Sequence, residues 1–141
     1  MAVNFFREDI KFNLPNKLKR KAWLNNIAKT EGFKIAELSY IFCSDEYLHK
    51  MNLDYLDHDT LTDIITFDNS EEEGIIEGDI FISVDRVRDN AKQLSLTEEI
   101  ELSRVISHGL FHLMGYEDKT KTQSIEMRGK EEAAIELFDK T

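Results

Sequence analysis

The alternation of apolar and polar positions divides the chain into short strands and amphipathic helices. Residues 2–6 (Ala2, Val3, Asn4, Phe5, Phe6) read as a short strand. Pro15 suits the first turn of a helix that runs to about Glu31 and is ended by Gly32, with Leu18, Ala22, Trp23 and Ile27 at helical spacing on its apolar side. Residues 37–43 form a second strand, after which Ser44 caps a helix to about Leu53. From Asp54 to Thr62 the chain reads as polar loop. Residues 63–67 and 78–84 are rich in β-branched and aromatic side chains and flank the acidic segment Ser70-Glu71-Glu72-Glu73-Gly74, which predicts neighbouring antiparallel strands. A helix follows over 85–94. Thr97 then caps a longer helix that reaches Met114 and stops at Gly115, with Glu98, Glu99 and Glu101 at the positive end of its dipole. The last helix spans 122–138, with Gly129 as a weak point inside it.

Composition narrows the class. At 141 residues, 41% hydrophobic and 33% charged, the chain reads as one soluble globular domain over 1–141, without internal repeat, low-complexity tract or linker. No apolar run reaches membrane-spanning length, and the start of the chain lacks the pattern of a secretory signal, so the expected residence is the cytoplasm. Cys43, the single cysteine, excludes an intramolecular disulfide and a thiolate cluster; in its apolar strand it is expected to pack as a small hydrophobe. The net charge of −10 argues against a basic coat, but it is uneven. Residues 11–34 carry Lys11, Lys17, Lys19, Arg20, Lys21, Lys29 and Lys34 against Glu31 alone, a local net +6 that leaves −16 for the remainder. A basic helix on an acidic body can dock on phosphates, or can simply be the solvated side of an amphipathic helix.

The chemistry concentrates in Ser107-His108-Gly109-Leu110-Phe111-His112-Leu113-Met114-Gly115-Tyr116-Glu117-Asp118. Histidines four apart on a helix project from one side, one above the other. Gly115 lets the backbone leave through a left-handed cap, so that Asp118 can return as a third ligand, with Glu117 as its rival. Three protein ligands leave a fourth tetrahedral position to water, as in catalytic zinc sites. Two imidazoles and a carboxylate predict one zinc ion per chain, and the oxygen ligand also admits nickel, manganese or iron. The alternative is a buried, hydrogen-bonded histidine pair with no metal. The helix differs from the metallopeptidase pattern, because Gly109 stands where that pattern places its glutamate base, which counts against proteolysis.

This segment resembles the metal motif His-Gly-x-x-His-x-x-Gly-Tyr-Asp-His of the YbeY family of bacterial ribosomal RNA maturation factors. The likeness extends to Met51-Asn52-Leu53-Asp54-Tyr55 through Asp59, to Thr62-Asp63-Ile64-Ile65-Thr66-Phe67, to Gly78-Asp79-Ile80, and to Met127 and Glu131 in the final helix. It implies an α+β fold, a small mixed sheet of about four strands with about five surrounding helices, and a metal site on a helix and the turn after it. It also implies a zinc-dependent, single-strand endoribonuclease of rRNA maturation and ribosome quality control. The implied partner is rRNA or the small ribosomal subunit, with ribosomal proteins or an assembly GTPase as further candidates. Two positions depart from the pattern: Asp118 stands in place of the third histidine, and Leu56 in place of an arginine after Tyr55.

Leucine cannot stabilise phosphate charge, so the cation that assists cleavage is sought among Arg104, Lys119 and a protonated His58 in the loop. Arg104 lies one turn before His108 and can instead pair with Glu101 on the solvent side. Asp63 and Asp79 open strands and are read as turn or cap residues, and Leu110, Phe111, Leu113 and Met114 as core packing. The assigned site is therefore His108, His112 and Asp118 as ligands, joined by Arg104 as a catalytic cation. Two other functions stay open: a non-catalytic ribosome-assembly factor with a structural metal, and a metallopeptidase.

Overall fold

The computed structural model describes residues 2–56, without the side chain of Leu56, and 62–141. His58 and Asp59 lie outside the described residues. Among the described residues nine elements follow in order: β1 Val3–Arg7, α1 Lys17–Thr30, β2 Lys34–Cys43, α2 Asp45–Leu56, β3 Ile64–Asp68, β4 Ile75–Ser83, α3 Val84–Gln93, α4 Glu98–Leu113 and α5 Lys121–Lys140. The strands form one mixed sheet in the order β1-β2-β4-β3, with β1 and β4 parallel to β2 and β3 antiparallel to β4. The expected α+β class and the pairing of the 63–67 and 78–84 stretches hold.

The period-two pattern of β4 sorts its side chains. Ile76, Gly78, Ile80 and Ile82 are buried, and Ile80 meets α4 at Gly109. Phe81, on the other side, packs with Cys43, Leu48 and Ile65 in a smaller cluster near α2. Cys43 is fully buried, and burial together with the nearby acids Asp9, Asp85, Glu8 and Asp45 pushes its thiol up to about 12, as suits a packing residue.

Three expectations are corrected. Helix α2 continues to Leu56, so the stretch after Leu53 is not all loop. Pro15 lies outside α1, because Asn16 adopts a left-handed conformation (φ 59°) at the N-cap and the first helical bond runs from Arg20 N to Asn16 O. The buried side of α1 is Arg20, Trp23, Leu24, Ile27 and Ala28, while Leu18 is 79% exposed and Ala22 faces solvent. Arg20 holds its interior place by donating from Nε to Pro15 O (3.1 Å) and from Nη1 to Ser103 Oγ (3.1 Å), with its guanidinium 4.6 Å from the centre of the Phe138 ring. Burial brings its pKa down to about 10 against the attraction of Glu99 and Tyr40, so it keeps its charge at neutral pH. The exposed basic strip is thereby one charge poorer than the sequence suggests.

Helix α4 is the centrepiece. Leu102, Val105, Ile106, Gly109, Leu110, Phe111 and Leu113 are buried against the sheet and neighbouring helices. Thr97 Oγ1 accepts from Ile100 N as its cap, and the chain leaves through Gly115 at φ +100°. Helix α5 begins at Lys121 behind a Thr120–Gln123 capping box and packs along α4; it buries Met127, Ala134 and Phe138, of which Phe138 meets Trp23 of α1 edge to face.

Gly78 fixes how closely β3 approaches β4, because a Cβ there would stand 2.5 Å from Phe67 O and 3.2 Å from Leu113 Cδ1. Gly78→Ala is expected to lower stability by about 1–3 kcal/mol through overpacking, read by urea denaturation. An unchanged midpoint would show that the strands can part without cost.

Candidate metal centre

Helix α4 carries a line of charged and imidazole side chains down one side: Glu101, Arg104, His108 and His112 follow one another at helical spacing. The two imidazoles meet edge to face, with ring centres 4.5 Å apart. The Gly115 turn brings Asp118 back over them. Its Oδ2 lies 3.5 Å from His108 Nε2 and its Oδ1 lies 3.9 Å from His112 Nε2. One ligand atom from each of the three residues falls within 4.8 Å of the others. Two atoms each bound at zinc distance, at a tetrahedral angle, stand ~3.3 Å apart, so the two Asp118 pairs, at 3.5 and 3.9 Å, must draw in by less than ~1 Å to hold an ion. Nitrogen and oxygen donors of this kind suit a divalent transition metal.

Glu131, which the sequence marks only through the family resemblance, stands behind His108. Its Oε2 lies 2.5 Å from His108 Nδ1. Its Oε1 accepts from Arg104 Nη1 at 3.3 Å, and Arg104 also donates from Nε and Nη2 to Glu101 at 2.9 and 2.5 Å. Glu101 and Glu131 are 0% and 2% exposed. The Arg104–Glu101 pair is therefore real but lies inside the protein, which corrects its expected place on the solvent side. The reason is α5, which covers this side of α4 and supplies Glu131. Charged residues are buried almost only in such paired arrangements.

These contacts set the electrostatics. For His108, burial opposes protonation, but the hydrogen bond and charge of Glu131, with Asp118 and Asp63 behind them, hold its pKa above the ordinary imidazole value. His112 moves the other way, lowered by burial and by the charge of His108 against Asp118, a Tyr116 backbone hydrogen bond and Glu117. For Arg104, burial is outweighed by Glu101 and Glu131, so its pKa is raised and it stays charged.

A family model described as Endoribonuclease YbeY matches residues 3–139. The chain belongs to the YbeY endoribonuclease family. The endoribonuclease YbeY of Cytophaga hutchinsonii is 58% identical over 136 residues, which is 96% of this chain and 95% of that protein. That of Flavobacterium johnsoniae is 47% identical over 133 residues, 94% of this chain and 95% of the relative. The solution structure of a Thermotoga maritima protein superposes with a TM-score of 0.68 at 28% identity, covering 96% of this chain and 88% of that one.

Within this YbeY frame the turn that carries Asp118 is tied down on both sides. Tyr116 OH donates to Glu31 Oε1 (2.5 Å), and Lys130 Nζ donates to Glu31 Oε2 (2.8 Å), joining the end of α1, the turn and α5. Glu117 stands outside the three-residue group, 4.0 Å from Lys119. Asp79 lies midway along β4 rather than at its start and accepts from Asn69 Nδ2 (3.3 Å). Asp63 just precedes β3, where its backbone O accepts from Ser83 N (3.0 Å) and its carboxylate charge acts on His108. No helix of the described residues is long and apolar enough to cross a membrane.

Burial alone would raise the pKa of Glu31, but the hydrogen bonds from Lys130 and Tyr116 outweigh it and hold the carboxyl below its ordinary value. A depressed carboxyl contributes stability at neutral pH and loses it as the pH falls through the folded-state value. Glu31→Gln is expected to cost about 1 kcal/mol at pH 7 and nothing near pH 2, read by chemical denaturation at both. Equal costs at both would exclude the charge of Glu31 as the cause.

Proposed function

We propose that this protein is a divalent-metal-dependent endoribonuclease that cleaves single-stranded rRNA during ribosome maturation in the cytoplasm, using His108, His112 and Asp118 as metal ligands. The observation that carries the reading is the convergence of these three side chains at the surface of a chain that belongs to an endoribonuclease family. Zinc, one per chain, is the first assignment, with nickel, manganese or iron compatible with the mixed donor set. When bound, the ion supplies Lewis-acid chemistry, polarising a phosphoryl oxygen and making a water more acidic.

The protein's own groups divide the remaining work. His108 and His112 are held by α4 with Nε2 towards Asp118, which supplies the negative charge of the ligand set. Lys119 follows Asp118 with 79% of its side chain exposed, and is the described cation of the expected set that can reach a phosphate. Arg104 is turned inward. Lys17 and Lys29 on the outer side of α1 favour the approach of RNA to an otherwise acidic molecule.

The alternatives have specific weaknesses. A structural fastener closes its metal with four protein ligands, whereas three donors converge among the described residues, with Asp118 42% exposed. A peptidase would need its base at position 109, where a Cβ would already stand 2.9 Å from Ile64 Cδ1 and 3.0 Å from Ile80.

Zinc-loaded protein is expected to cut single-stranded RNA, to stop on addition of chelator and to resume when the metal is restored. His112→Ala should remove cleavage while leaving the folded spectrum intact. The reading fails if the loaded protein leaves both naked and ribosomal RNA whole and His112→Ala leaves rRNA processing in cells unchanged.

A further inference from the structure

Behind the three ligands, Glu101, Arg104 and Glu131 form a chain of paired charge that ends on the ring of His108 and that the metal group itself does not require. Its members come from two helices and share four contacts of 2.5–3.3 Å. Glu131 occupies an inward position of α5 between Met127 and Ala134, where packing alone would favour an apolar side chain.

We propose that Glu131 is the positioning residue that makes His108 a metal ligand through Nε2, and that Arg104 acts through Glu131 from inside the protein. The proposal rests on the metal site described above. A neutral imidazole can bind a metal only through its unprotonated nitrogen, so its two tautomers are not equivalent. An ionised carboxylate only accepts hydrogen bonds, so Glu131 Oε2 at 2.5 Å places the ring proton on Nδ1 and leaves the lone pair on Nε2, the atom that faces Asp118. A buried carboxylate with one free oxygen would be costly and free to turn. Arg104 prevents both: Nη1 holds Glu131 Oε1, while Nε and Nη2 are spent on Glu101. Arg128, exposed at the rim, adds a weaker contact to the same oxygen at 3.9 Å.

A planar guanidinium can span two carboxylates in this way, whereas an ammonium on a flexible stem has no fixed fork. The cluster thus converts the docking of α5 on α4 into the orientation of one ring. Partners of this kind typically change metal affinity 10–100-fold when removed.

The test uses the whole chain, freed of metal and titrated with zinc(II) alone against a competing chromophoric chelator. Nitrogen-15 spectra of the histidine rings, taken above their titration, accompany it. Glu131→Gln keeps the shape but offers an amide that can also donate to Nδ1. It is expected to raise the zinc Kd about 10–100-fold and to populate the Nε2–H form of His108, leaving the ring of His112 unchanged. Arg104→Lys should weaken zinc binding although it touches no ligand, and the double variant should fall short of the product of the two single effects. If Arg104→Lys does not fold, the Glu131→Gln measurements decide alone. Weaker binding with an unaltered His108 signal would mean lost packing only and overturns the proposal, as does unchanged binding. A wild-type protein that binds zinc while Glu131→Gln binds it equally well sinks this inference alone. A wild-type protein that binds no zinc sinks the metal site with it.

Discussion

The structure depends on how closely α4 lies on the sheet. At Gly109 the helix backbone comes so near β3 and β4 that an added Cβ would press on Ile64 and Ile80. The approach buries α4 on nearly every side and leaves one stripe of polar residues to be accommodated. The stripe runs from buried Glu101 through Arg104 to half-buried His108 and His112, so one side of the helix carries the site while its other sides pack as core. Catalytic groups on rigid elements hold their geometry better than groups on loops. Here the two proposed histidine ligands stand on successive turns of one largely buried helix.

Burying that stripe has a cost, and α5 offsets it. Two carboxylates deep in a protein are tolerable only when their lone pairs are satisfied, and Arg104 reaches both. The third proposed ligand is held differently. Asp118 lies beyond the helix, where a Gly115 turn reverses the chain and the Tyr116–Glu31–Lys130 contacts pin it to α1 and α5. The end of α1, the turn and α5 therefore all bear on where three atoms meet, although none of them supplies a histidine.

What could be read from the sequence was what is local. Thr97 as a cap and Gly115 as a stop follow from residues a few positions apart, and the β3–β4 pairing joins strands that are neighbours in the chain. The His108, His112 and Asp118 grouping belongs to the same class, since one helical turn and one reversal bring the three together. Long-range contacts escaped. Arg20 finds Ser103 83 residues away, Tyr116 finds Glu31 85 residues away and His108 finds Glu131 23 residues away, and no periodicity announces such partners. Two signals were nevertheless present. A glutamate stands in the apolar stripe Met127, Ala134, Phe138 of the last helix, and an arginine stands on the side of the first helix that carries Trp23 and Ile27. Each marks a charge that must be paired indoors. The pairing of Arg104 with Glu101 was legible from their spacing, but its burial was not, because that depends on α5.

The proposed function requires one cation held by His108, His112 and Asp118. Elemental analysis of the purified, native protein tests this most directly. The result predicted is close to one divalent transition-metal ion per chain, lost in a His108→Ala variant that still folds. A wild-type protein without metal, or a His108→Ala variant that retains its full complement, would contradict it.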